Sequence, residues 1–216
     1  MKKINLIKNG LIALLLFSGM LVAQPDKKAE KLLRSVVDKT ASYDNLKADL
    51  SYTMVNKEMD INEKKSGVIY VKGDSYRIEM EGQVIISDGE TVWTYLADSE
   101  EVMVSEVDES DENISPNKIL TSYDKNYKAK FDSDNKYKNS ELKLINLKPN
   151  DGKQFEKLSL LVNERSLEIE SFSVYDKSGN VFTYYIINME SNLDLPENTF
   201  TFKTEDYPDV EVIDMR

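Results

Sequence analysis

Residues Gln83–Tyr95 read QVIISDGETVWTY. Two runs rich in β-branched and aromatic residues flank Asp88-Gly89. Asp-Gly between such runs signals a hairpin, because glycine accepts the positive φ that a tight turn requires. Alternation along the second arm puts Trp93, the only tryptophan, on one face with Tyr95, and Val92 with Thr94 on the other. The hairpin is expected to form the middle of a large antiparallel sheet, with most of the chain added as strands on either side.

Upstream, Leu46–Met54 alternates: Leu46, Ala48, Leu50, Tyr52 and Met54 point one way, and Lys47, Asp49, Ser51 and Thr53 the other. Asn56–Ser66 reads as a polar turn, Gly67–Lys72 as the next strand, and Gly73-Asp74 as the turn into Tyr76–Glu81. There Tyr76, Ile78 and Met80 alternate with Arg77, Glu79 and Glu81, so the apolar set is expected to face inward, as are Leu50, Tyr52 and Met54. Downstream strands are expected at Val102–Val107, Lys128–Asp132, Leu142–Leu147, Lys157–Val162, Leu167–Tyr175 and Val181–Met189, with Phe200–Phe202 and Val210–Ile213 closing the chain. Leu167 and Ile169 share one parity and Phe172 and Val174 the other, which predicts a bulge between them. Ser178-Gly179-Asn180 is a second hairpin turn.

Asp26 caps a helix running to about Ser42, with Ala29, Leu32, Leu33, Val36 and Val37 on one stripe. Ser115-Pro116 opens a short helix with Ile119, Leu120 and Tyr123 on its apolar side. The pattern is mainly β: eleven or twelve strands in a single curved antiparallel sheet, in one domain over residues 24–216. Leu33, Val37, Ile119 and Leu120 are placed as a helical lid over the concave face.

Residues 1–23 have the form of a secretory signal peptide: Lys2, Lys3 and Lys8, the apolar run Leu11–Phe17, then Gly19 and Ala23 before a cut. The expected location is therefore outside the cytoplasm. The chain has no cysteine, so neither a disulfide nor a lipid-modified cysteine is expected. Its 28 basic and 39 acidic residues give a net charge of −11, which becomes −14 without the three leader lysines. That sign repels phosphate backbones and anionic bilayers, so nucleic acid is not an expected partner. The absence of histidine removes His-dependent triads and His-ligated metals. The acidic stretch Asp98–Glu112 lacks EF-hand spacing and reads as a solvated loop, able to steer a basic partner. No catalytic motif is present, and an enzyme, a cofactor and a metal are not expected.

Binding is better supported. Val68–Val71, Val84–Ile86 and Phe182–Ile187 carry apolar residues at both parities. The surplus fits the lining of a ligand cavity, and fits a packed core equally well. The candidate cavity residues are Leu50, Tyr52, Met54, Ile69, Val71, Tyr76, Ile78, Met80, Ile85 and Trp93.

The order of features resembles the periplasmic outer-membrane lipoprotein carrier family, LolA-type. The matching pieces are the leader, the helix ending before Tyr43, Gly67-Val-Ile-Tyr-Val-Lys72 and Ser75-Tyr-Arg-Ile78. Ile86-Ser-Asp-Gly-Glu-Thr-Val-Trp-Thr-Tyr95, the Ser115-Pro116 helix, Asn198-Thr-Phe-Thr-Phe202 and Asp209-Val-Glu-Val-Ile213 follow in order. The resemblance implies an unclosed β-barrel with a helical lid over an apolar cavity. It also implies a monomeric periplasmic carrier that takes acylated lipoproteins from an inner-membrane ABC-type lipoprotein-releasing complex to an outer-membrane acceptor. The alternative within the same fold is a module that senses lipids or lipoproteins without transporting them. The family's arginine after the second strand, associated with lid closure, is missing; Lys72-Gly73-Asp74 stands there.

Overall fold

The computed structural model describes residues 26–107, 127–133, 135–137, 139–149, 155–207 and 209–216. Twelve strands form one sheet. In chain order they are β1 (Leu46–Asn56), β2 (Ile61–Lys72), β3 (Ser75–Met80), β4 (Gln83–Ser87), β5 (Thr91–Leu96), β6 (Glu101–Glu106), β7 (Tyr127–Phe131), β8 (Leu142–Pro149), β9 (Phe155–Asn163), β10 (Glu168–Asp176), β11 (Val181–Ser191) and β12 (Glu211–Asp214). Their spatial order is β12-β6-β5-β4-β3-β2-β1-β11-β10-β9-β8-β7. Two meanders of sequential hairpins are joined by a long-range antiparallel pair, β1 with β11. The outer strands β12 and β7 do not pair, so the sheet curves without closing into a barrel.

The β4–β5 hairpin forms as its residues dictate, with Ser87 opposite Val92. Asp88 Oδ1 accepts from the Glu90 N–H at 2.9 Å and the Thr91 N–H at 2.8 Å, while Gly89 takes φ +101°. It does not occupy the middle of the sheet, however. That place belongs to β2 and β1, because the chain returns to pair β11 with β1 only after building β7 to β10. The predicted bulge falls at Glu170, where the β9–β10 register shifts between Ile169 and Ser171.

Two boundaries and one strand direction differ from the sequence reading. The polar turn expected over Asn56–Ser66 is mostly strand: β2 begins at Ile61, and Asn62–Ser66 pair with β1 although Glu63, Lys64 and Lys65 are charged. The turn shrinks because buried Asn56 builds it. Its Oδ1 accepts from the N–H groups of Glu58 and Met59, both at 3.1 Å, and its Nδ2 donates to Asn180 Oδ1 at 2.8 Å. Phe200–Phe202 is not a strand. The last strand, β12, runs parallel to β6, since the chain leaves β11 and arrives at β6 travelling in the same direction.

Among the described residues one α-helix, α1 (Lys27–Ala41), is capped by Asp26, whose carboxylate accepts from the N–H groups of Lys28 and Ala29. Ala29, Leu33 and Val36 are buried against Ala129, Ile145, Leu147, Phe155, Leu158, Leu160, Val162 and Ile169. This is the main core, and it fills the concave side of β7–β10. Fully burying each large side chain there is worth about 1.5–3 kcal/mol before entropy is charged against it. The convex side of β4–β6 is covered too: Ile86, Val102 and Val104 are buried. Phe202 and Tyr207 of the C-terminal segment pack on Tyr95 there, with ring centroids at 6.5 and 4.4 Å. Residues 1–25, and the segment 108–126 with Ser115-Pro116, Ile119, Leu120 and the last five residues of the acidic stretch, lie outside the described residues.

Candidate ligand-binding cavity

The half of the concave face that α1 does not fill holds a cavity of about 880 Å³. Volumes near this upper end of roughly 300–1,000 Å³ suit sizeable ligands. Strand pairing shows how the floor is assembled. Ala48 stands beside Ile69, Ile69 beside Ile78, and Ile78 beside Ile85, one row across four strands. The next row runs Leu50, Gly67, Met80 and Gln83. Gly67 supplies no side chain because none fits. A Cβ there would lie 2.5 Å from the Glu79 carbonyl oxygen and 2.7 Å from Met80 Cγ.

Of the expected cavity residues, Leu50, Tyr52, Ile69, Val71, Ile78, Met80 and Ile85 line this space. Tyr76 shares their face but is buried beside Leu46 and Val71, beneath the lining. Burial pushes its phenol pKa up, with a partly opposing hydrogen bond from Ser87. Met54 lies on the same face further along β1, opposite Phe182 and Glu63, and does not line the space. Trp93 is on the other side of the sheet. It pairs with Ile86, which pairs with Arg77, so all three point to the convex face. The β4–β5 strands are apolar at both parities because the tail makes a second small core there, and Trp93 is not a cavity residue. Arg77 shares that convex face, bonded to Glu79 at 2.5 Å and facing Tyr207, and so is turned away from the cavity.

The helix is core along its body and reaches the cavity at its end. Leu33 is buried in the main core and Val37 packs against it, and neither lines the cavity. Thr40 and Tyr43, at and just past the C-terminus of α1, do line it. Lys39 ties this end down: its Nζ donates to the Ser166 carbonyl at 2.6 Å and to Glu168 Oε1 at 3.0 Å. The hydrogen bond to Glu168 chiefly raises the Lys39 pKa.

The opposite wall was missed as a set. Phe172 and Val174 of β10 and Phe182, Tyr184, Ile186 and Met189 of β11 line the cavity. Alternation was the available signal for Phe182, Tyr184 and Ile186. A register shift, after Leu50 pairs with Ile186 and before Asp49 pairs with Asn188, restores Met189 to the same side. The aromatic rings cluster: Phe172 stacks on Tyr184 at 4.5 Å and Tyr52 tilts against Tyr184 at 5.1 Å. Burial pushes the Tyr184 phenol up to about 12, and the nearby Tyr52 adds to the shift. Charged groups sit at the edge of the lining: Glu63 and Lys65 from β2, Asp176 and Lys177 from the β10–β11 turn, and Glu168. Among the described residues, no group of three or more His, Cys, Asp or Glu side chains is placed to hold a metal.

An unclosed twelve-stranded sheet with helix α1 on its concave face and an apolar cavity beside that helix defines a β-sheet protein of the half-barrel, cavity-bearing class. Residues 41–203 match the family described as Outer membrane lipoprotein carrier protein LolA, and the chain belongs to that family. The outer-membrane lipoprotein carrier protein of Legionella pneumophila strain Corby is 25% identical over 197 residues, covering 89% of this chain and 93% of that protein. The strain Paris protein shows the same identity and coverage. Among solved structures, an uncharacterized conserved protein from Thermus thermophilus is similar in fold, with TM-score 0.56 at 13% identity, over 87% of this chain and 99% of that one.

Proposed function

We propose that this protein is a non-enzymatic periplasmic carrier that holds the acyl chains of lipoproteins in the concave cavity and moves them from the inner to the outer membrane. The observation that carries the reading is the cavity: about 880 Å³, with a floor of aliphatic side chains and charge only at its edge. Each buried methylene is worth about 0.8 kcal/mol, so acyl chains offer a gross gain of tens of kcal/mol. A carrier that kept all of it would never release cargo. Part is offset by the cost of opening the space beside α1, whose Thr40–Tyr43 end borders the cavity. Handover then requires only an outer-membrane acceptor that binds lipid better, and loading requires a donor such as an inner-membrane ABC-type releasing complex.

The test has two arms. The full chain, expressed with its own leader and recovered from the periplasm, is examined by native mass spectrometry for bound acylated species. Depletion in the native host is followed by fractionation of inner and outer membranes. Bound lipoprotein together with lipoproteins stranded in the inner membrane supports the carrier. Binding without stranding would point to a sensing module, and neither would end the reading.

A further inference from the structure

The cavity has a polar end, and its chemistry is specific. Tyr52 of β1 and Tyr184 of β11 are direct cross-strand partners on the concave face, and both line the cavity. Phe172 holds the Tyr184 ring from one side, and Phe182 lies 6.5 Å from Tyr52. The rings are thus fixed by packing, while neither phenol has a hydrogen-bond partner among the described residues. The side chains of Asn45, Asn56 and Ser159, all buried, are each hydrogen-bonded. Both tyrosines are only partly buried, so each hydroxyl can exchange water for an acceptor on a bound ligand. Two such groups side by side, facing a space large enough for a ligand, are placed to donate to it.

The surroundings fix the direction. Lys65 stands beside Tyr52 on β2, and beyond the tyrosines toward the β1–β2 and β10–β11 turns the lining holds Glu63, Asp176 and Lys177. Back along β1 toward Leu46 the floor is aliphatic, for six residues or roughly 20 Å of strand, and the charged lining group on that side, Glu168, is paired with Lys39. From this we infer that Tyr52 and Tyr184 are paired donors for the carbonyl oxygens at the head of an acyl-glycerol group, whose chains run from the tyrosines toward Leu46. The inference rests on the carrier reading and names the linkage it recognises. With its phenol pushed up to about 12, Tyr184 remains a donor at any pH the protein meets in a cell.

The test compares a diacylglycerol with the dialkyl ether of the same chain length, which lacks the carbonyls, by displacement of a fluorescent acyl probe from the full protein. A neutral hydrogen bond is worth roughly a factor of two to ten, so wild type should prefer the ester by about tenfold. Tyr52→Phe and Tyr184→Phe keep the rings and their stacking. The double variant should bind ester and ether alike, at the ether's wild-type affinity, with circular dichroism and unfolding midpoint confirming the fold. An acyl amide bound as well as the ester would extend the site to any acyl carbonyl at this position. Equal affinity for ester and ether in wild type, or an ester preference kept by the double variant, would overturn the assignment while leaving the carrier reading intact. Wild type that binds neither probe would overturn both.

Discussion

Asn45 and Leu193 are bonded twice: Asn45 Nδ2 donates to the Leu193 carbonyl, and its Oδ1 accepts from the Leu193 N–H, both at 2.9 Å. A side-chain amide here copies a peptide partner. It fixes the point where the chain leaves β11, and the neighbouring Asn192 side chain accepts from the Asp44 N–H at 2.8 Å. The tail then crosses to the convex face of β4–β6. Asn45 is buried, so Asn45→Ala loses both bonds and leaves the Leu193 groups poorly solvated. The expected cost is about 2 kcal/mol. Urea unfolding should show a lower midpoint at unchanged slope, and an unchanged midpoint would make the pair incidental.

The tail itself should matter more. Phe202 and Tyr207 stack on each other at 4.8 Å and together cover Tyr95, on the face where Ile86, Val102 and Val104 are buried. A chain ending at residue 200 loses these rings and β12, which pairs with β6 through Glu211–Asp214. We expect destabilisation by more than about 3 kcal/mol and a new tendency to self-associate through the bare β6 edge. Size-exclusion chromatography and thermal unfolding of the truncated protein measure both; a monomer with the wild-type midpoint would refute a stabilising role for the tail.

Much of this was legible because alternation is a strong code where one face is wet. Leu46–Met54 and Tyr76–Met80 could be phased from their charged partners alone, and the change of parity after Ile169 revealed the bulge. The code weakens where both faces are covered. Around Ile86 and Trp93 nothing local distinguishes the convex core from the cavity, since what buries that face is a tail more than a hundred residues away. It also weakens where neither side is apolar. Asn62–Ser66 form strand because β1 offers a continuous ladder, which their own composition does not disclose.

The two halves of the concave face should respond differently to truncation. Leu33 is 1% exposed and fully surrounded, whereas Ile78 fronts the cavity and already lacks neighbours on one side. Leu33→Ala is expected to cost about 2–5 kcal/mol, and Ile78→Ala less than about 2 kcal/mol. Binding of an acyl probe should show the reverse order once both are compared below their unfolding midpoints. If Ile78→Ala proved the more destabilising, the cavity would be closed and packed in solution.

Alkaline pH offers a separate reading of the cavity wall. The Tyr184 phenol titrates near 10.0 in an unfolded chain and is pushed up to about 12 in the folded one by burial, with Tyr52 adding to it. At pH below 10 both states keep the proton, and the group contributes its full share to stability. Between 10 and 12 the unfolded chain ionises first, so stability falls as pH rises through that window. Tyr52 and Tyr76 are raised in the same direction, also chiefly by burial, so wild type alone cannot isolate one ring. Tyr184→Phe should flatten part of the alkaline loss and remove the latest-titrating component of the tyrosinate absorbance. A bound acyl ligand should delay that component further, because it replaces water around the phenol. Ionisation of Tyr184 at its ordinary value, with ligand making no difference, would mean that the hydroxyl faces open solvent, away from the acyl chains.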